Sequence, residues 1–208
     1  MALQKKNKEK EILQNAITLF WKNGFHKTSI QDLVDYLGIN RASLYNTYQD
    51  KEGLFTTCLI AYREQIFNMA TETLYENKSI KKGFQDLFKF IIESIGKDVN
   101  KKGCLIANTY SELPSLIDNQ NHNLAHETKD LWITLIKGAL KKAEKNKEIK
   151  NGTNIQKSTH AIYTSMVGAT ILSKINTRPI ELKNSLETHL NIFNKQHIQT
   201  ILNNEQTI

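Results

Sequence analysis

The stretch that decides the fold is Lys10 to Phe55, KEILQNAITLFWKNGFHKTSIQDLVDYLGINRASLYNTYQDKEGLF. Ile12, Leu13, Ala16, Ile17, Leu19 and Phe20 recur at spacings of three and four, the period of an amphipathic helix. Gly24 supplies its stop. Ser29 has Asp32 three residues on, the pattern of an N-cap with a reciprocal acidic partner, so a second helix starts there. Gly38 breaks that helix after about two turns, and Asn40 is the residue type that caps a third. The third helix, Arg41-Ala42-Ser43-Leu44-Tyr45-Asn46, carries Leu44 as its one clear core anchor and leaves small and polar side chains facing outward. Two short helices joined by a tight glycine turn, the second with a polar outer face, are the arrangement that sets a recognition helix into a DNA major groove.

The same residues resemble the DNA-binding domain of the TetR/AcrR family of bacterial transcriptional regulators. The matching positions are Ala16 to Phe20, Gly24-Phe25, Thr28-Ser29-Ile30, Asp32-Leu33, Leu37-Gly38-Ile39, Leu44-Tyr45, Tyr48, Lys51-Glu52 and Leu54-Phe55. Val34 and Leu37 stand where the family often has alanines, and Asn40 where serine is common, changes that keep the packing and capping chemistry. The resemblance implies an all-α fold: a helix-turn-helix domain over residues 1–53, then a helical effector-binding and dimerisation domain over residues 54–208. It also implies a homodimer paired through the last two helices, a double-stranded DNA operator and a small-molecule effector.

The remaining chain fits that outline. At 208 residues it accommodates a DNA-binding domain of about 50 residues plus a helical core domain. Two prolines and nine glycines, with 39% hydrophobic and 24% charged residues, suit a nearly all-helical globular chain. A formal charge of +7 favours a polyanionic partner, although residues 1 to 51 hold eight Lys/Arg against five Asp/Glu, so the excess is spread along the chain. Past Phe55, helical stripes run through a long fourth helix and a fifth capped by Ser79. A short helix spans Cys104 to Leu113, and another runs from near Leu124 to Lys147. The last two are expected over residues 155–175 and 180–202, the latter with Leu182, Leu186, Leu190 and Phe193 on one side.

The expected DNA-facing residues are Thr28, Ser29, Arg41, Ala42, Ser43, Tyr45, Asn46, Tyr48 and Lys51. Arg41, one of three arginines, opens the recognition helix, where a guanidinium reaches a guanine edge or a phosphate. Tyr45 and Tyr48 offer hydroxyls to phosphate, against the alternative that helical aromatics are core. Lys51 opens the fourth helix, where free amides and an ammonium suit a phosphate oxygen. Phe88, Ile92, Ile106, Tyr110, Trp132 and Met166 are the candidate effector-lining residues; as inward apolar side chains they serve equally as core.

Cys104 follows Lys101-Lys102-Gly103 at a helix start, an environment that lowers a thiol pKa, and the segment resembles one found in a redox-responsive branch of the family. The competing reading is a buried small apolar side chain. His122 and His126 have the i, i+4 spacing of a chelate but no third ligand, so no metal is expected, nor any cofactor. No nucleophile-base-acid set or phosphate loop points to an enzyme. Two unrelated cysteines, no signal-peptide core and no membrane-length apolar run point to the cytoplasm. Three functions compete: a ligand-responsive regulator, most simply a repressor released from a palindromic operator by its effector; a thiol-sensing regulator acting through Cys104; and an architectural DNA-binding adaptor without an effector cavity.

Overall fold

The computed structural model describes residues 2–112, 120–175 and 177–194, and the fold is all-α. Helices α1 (Ala2–Asn23), α2 (Ile30–Leu37) and α3 (Arg41–Tyr48) form the first unit, and α4 (Lys51–Tyr75) leads out of it. Helices α5 (Ile80–Lys97), α6 (Leu105–Glu112), α7 (Gln120–Lys145), α8 (Ile155–Leu172) and α9 (Pro179–Thr188) follow. Among the described residues the one strand-like feature is an isolated antiparallel bridge between Ile149 and Phe193.

The caps fall where the sequence puts them. Ser29 and Asp32 close a reciprocal capping box, Asn40 accepts from the Ser43 amide, Asp50 from Gly53 and Ser79 from Lys82. Gly38 ends α2 at φ 63°, a left-handed conformation that favours glycine. Each cap is a local satisfaction of amides that the helix cannot bond itself, so each is written within three residues.

Two apolar clusters hold the bundle. One joins α1–α3 to the first half of α4 and reaches α6 and α7: Phe20, Leu33, Leu44, Leu54, Phe55 and Leu59 are almost wholly buried in it. The other fills the space between the second half of α4 and α5, α7, α8 and α9 around Phe84, Leu87, Ile136 and Ile162. Helix α4, about 37 Å long at the α-helical rise, runs through both.

The end of the chain departs from expectation. Helix α9 stops at Thr188 and a 3-10 turn covers His189–Ile192, instead of one helix running on toward residue 202. Phe193 leaves the helix to pack against Phe84, ring centroids 5.8 Å apart. The Asn194 amide donates to Glu148 O at 2.7 Å and the Lys150 amide to Ile192 O at 2.9 Å, bonds that a continuing helix would forbid. Residues beyond Asn194 lie outside the described residues.

Leu182 and Leu186 belong to the molecule's own core, Leu186 fully buried. The apolar side expected on the last helix therefore serves intramolecular packing against α5 and α8. What the last two helices and their connection leave exposed is a different apolar set, Ile171, Leu172, Ile175 and Ile180. Leu186→Ala should accordingly lower unfolding stability by about 3 kcal/mol, the ordinary cost of a large-to-small core change. A urea titration followed by far-UV circular dichroism reads it, and an unchanged midpoint would contradict this packing.

Candidate nucleic-acid interface and the cavity beneath it

Helix α3 is held by a single fully buried side chain, Leu44. Arg41, Ala42, Ser43, Tyr45 and Asn46 are all exposed, so an eight-residue helix turns nearly its whole surface outward. Polar side chains without internal work on a rigidly capped helix are free to meet a polar partner. Arg41 is lightly held, its Nη2 donating to Gln31 Oε1 at 3.2 Å. Tyr48 is half-buried against the core, and burial raises its phenol pKa above the ordinary value.

The other three residues expected on this face have internal roles. Thr28 is fully buried and its hydroxyl donates to Gly24 O at 2.7 Å. Ser29 is exposed, but its hydroxyl donates to Asp32 Oδ2 and accepts from the Asp32 amide; the hydroxyl bond, with the Ser29 amide donating to the same oxygen, holds the Asp32 carboxyl below its ordinary pKa. Lys51 is turned inward: its Nζ donates to Phe25 O and Thr28 O, both at 3.1 Å, and lies 4.3 Å from the Phe25 ring centroid. The ammonium caps the α1–α2 turn rather than projecting toward a phosphate.

That turn is also gripped from α6. The Phe25 amide donates to Glu112 Oε2 at 2.8 Å, and His26 Nε2 lies 3.1 Å from the Glu112 carbonyl, at the end of α6. Gly24 sits at φ +84°, a left-handed conformation that favours glycine, and a Cβ there would also press on the Glu112 carboxylate at 2.8 Å. Just ahead of α6, Trp21 Nε1 donates to Gly103 O at 3.1 Å while Lys102 Nζ lies 4.3 Å from the centre of the indole. Helix α6 is thus tied to the C-terminal end of α1 at both of its own ends.

On its other side α6 borders a cavity of about 650 Å³. Ile106, Tyr110, Trp132 and Met166 line it as expected. Phe88 and Ile92 do not. Both pack into the core, Phe88 beside Phe84, and their neighbours Leu87 and Ile91 reach the cavity instead. One residue is a 100° rotation on a helix, so an error of one position changes the face. Trp21, Tyr62, Phe90 and Tyr163 are the aromatic lining residues that sequence reasoning left out. Trp21 carried a usable signal, being a large aromatic off the apolar stripe of α1. Tyr110 donates to Ala125 O at 2.7 Å, which leaves Tyr163 to donate to Tyr110 across 3.2 Å. Burial raises both phenol pKa values.

The thiol-sensing reading is not favoured. Cys104 is half-buried at the start of α6, and burial raises its pKa, outweighing the opposing hydrogen bonds from the α6 backbone and Tyr62. The helix start is present, but the nearer lysine, Lys102, stacks on Trp21. Cys58 is fully buried and its thiol is likewise pushed up. Neither thiol is poised as a thiolate. Of the two histidines, His126 faces Asp130 at 3.6 Å and the side chain of His122 lies outside the described residues.

Comparison with known proteins accounts for both halves of this geometry. Residues 12–58 match the profile of bacterial regulatory proteins of the tetR family, and residues 84–188 match the tetracyclin repressor-like C-terminal domain. The chain is 26% identical over 182 residues to the uncharacterized HTH-type transcriptional regulator YezE of Bacillus subtilis, covering 88% of this chain and 94% of that one. It is 31% identical over 102 residues to the HTH-type transcriptional repressor ComR of Escherichia coli, 49% of each chain. Among solved structures, a cysteine mutant of the TetR-family regulator CifR complexed with 26-base-pair operator DNA superposes with a TM-score of 0.75. That match has 20% identity and covers 88% of this chain and 95% of that one.

Two outcomes follow from the inward-facing groups. Lys51→Ala should destabilise the fold by about 1–2 kcal/mol, since two carbonyls lose a charged donor in a half-buried site; a thermal melt reads this. Both thiols should react slowly with a neutral-pH alkylating agent in the native protein and rapidly after unfolding. Fast native labelling of Cys104 alone, followed by mass spectrometry, would contradict its placement.

Proposed function

The chain belongs to the tetR family of bacterial regulatory proteins, and from that premise we propose that it is a dimeric transcriptional repressor released from a palindromic operator by a small molecule. The observation that carries the proposal is α3, where Arg41, Ala42, Ser43, Tyr45 and Asn46 stand exposed around one buried anchor. A recognition helix reads only a few base pairs, so a two-fold dimer presenting two of them to a pseudo-palindrome supplies the missing specificity. The exposed apolar side chains Ile171, Leu172, Ile175 and Ile180 on the last helices and their connection support such pairing, because large apolar groups left in water gain by association. The name of ComR, a repressor, supports the sign of regulation. A cytoplasmic location and a binding rather than catalytic role complete the proposal.

The cavity supports effector control over an architectural role. It is of ligand size and mostly apolar, with tyrosine hydroxyls inside it. Trp21, Cys104, Ile106 and Tyr110 line it, and the same segment is tied to α1 through Gly103 and Glu112. A ligand that seats better when α6 is displaced would draw α1 and the helix-turn-helix with it, and only such a difference in affinity can release DNA.

Fluorescence anisotropy with a palindrome from the region upstream of the protein's own gene tests this, at fixed and stated salt. Specific binding by a dimer is expected. Arg41→Ala or Tyr45→Ala should weaken it by about 1–3 kcal/mol while leaving the melting temperature unchanged. Equal affinity for the palindrome and for scrambled DNA would defeat the proposal.

A further inference from the structure

Resting on the effector-cavity reading just proposed, we infer that the ligand is an amphipathic organic acid, an apolar body with one anionic head. The floor of the cavity is apolar and buried: Leu87, Ile106, Trp132 and Met166 are each less than a tenth exposed. Its mouth is marked by the lining residues that reach solvent, and there the character changes. Phe90 and Val99 are exposed large apolar side chains, Val99 at 90% relative exposure, forming a greasy lip.

Beside that lip stand two ammonium groups, on Lys97 and Lys102. Lys97 is exposed and forms no ion pair among the described residues. Lys102 has no carboxylate partner among them either; its Nζ rests on the Trp21 ring at 4.3 Å. The one carboxylate lining the cavity among the described residues, Asp98, turns its Oδ2 to the backbone amides of Lys102 and Gly103, so it organises the loop that carries these lysines. Lys101, exposed, adds a further positive charge in the same loop.

The interior offers an anion much less. Tyr110 donates its hydroxyl hydrogen to Ala125 O, and Tyr163 donates to Tyr110. With these two hydroxyls already paired and no cation among the buried floor residues, a charged head placed there would be desolvated with little compensation. The head therefore belongs at the lysine rim and the apolar body inside. A cation would meet the rim's positive charge, and a neutral ligand would leave it unused.

The protein reports on its own occupancy, because both of its tryptophans, Trp21 and Trp132, line the cavity. The test is tryptophan fluorescence of the full chain without DNA, titrated with probes of matched body below their micelle concentrations. The probes are decanoate, decan-1-ol and decyltrimethylammonium, then 6-phenylhexanoate against 6-phenylhexan-1-ol. At least one acid should bind saturably about fivefold tighter than its alcohol, the scale of one or two partly exposed charge pairs. The cation should bind weakest. In the Lys97→Gln/Lys102→Gln double variant the acid should fall to the alcohol's affinity while the alcohol is unaffected.

An alcohol equal to or tighter than its acid, a cation matching the acid, a preference that survives in the double variant, or no saturable quenching by any probe overturns the inference. An acid that binds as expected but leaves operator DNA bound upholds the ligand class and removes the effector reading. An alcohol that binds best and releases DNA does the opposite.

Discussion

The peptide groups of the turn after α1 constrain the rest of the molecule. A turn between two packed helices has polar backbone groups that neither helix can satisfy, and buried ones must find partners elsewhere. Here the partners come from three directions. Thr28 supplies its own hydroxyl to Gly24 O, Lys51 of α4 bonds Phe25 O and Thr28 O, and Glu112 of α6 accepts from the Phe25 amide. The Phe25 ring meanwhile packs against Phe55, centroids 4.9 Å apart. The orientation of α2 and α3 is therefore fixed by groups that lie outside the helix-turn-helix.

What the sequence discloses follows from the range of each interaction. Caps at Ser29, Asn40, Asp50 and Ser79 are satisfied within three residues, so residue type and spacing suffice to read them. The exposed face of α3 is legible for the same reason, since one apolar residue in a short polar helix has only one face to bury. Lys51 and Leu186 are not legible. A lysine after a cap looks alike whether it points to solvent or to carbonyls 23 and 26 residues away. A leucine stripe looks alike whether it meets α5 of its own chain or another chain. The cavity lies between: its elements are identifiable, but Leu87 and Ile91 rather than Phe88 and Ile92 reach it, and a period of 3.6 leaves that rotation undetermined from one strand of pattern.

Cys104 shows how a correct local feature is overridden by its surroundings. A helix start and nearby lysines favour the thiolate, and the backbone of α6 does lower the thiol pKa. Yet the thiol is buried beside Tyr62, and removing a thiolate from water costs more than those dipoles return. Lys102 rests over the Trp21 indole, so a lysine close in sequence need not lie against the thiol.

The same aromatic corner bears on how a cavity could govern a DNA-reading helix. Allosteric coupling of about 1–3 kcal/mol is ordinary, and a hydrogen bond to a charged group contributes about 1.5–3 kcal/mol. The bond from the Phe25 amide to Glu112 is thus of the magnitude needed for the proposed release. Two anchors share the turn, Lys51 on α4 and Glu112 on α6, and both helices also line the cavity. A ligand that shifts one relative to the other cannot leave both anchors intact unless the turn moves. The turn is continuous with α2 through Ser29, and α2 and α3 are anchored by Leu33 and Leu44 in the core they share with α1 and α4, so under the proposed release a displaced turn would carry both short helices with it.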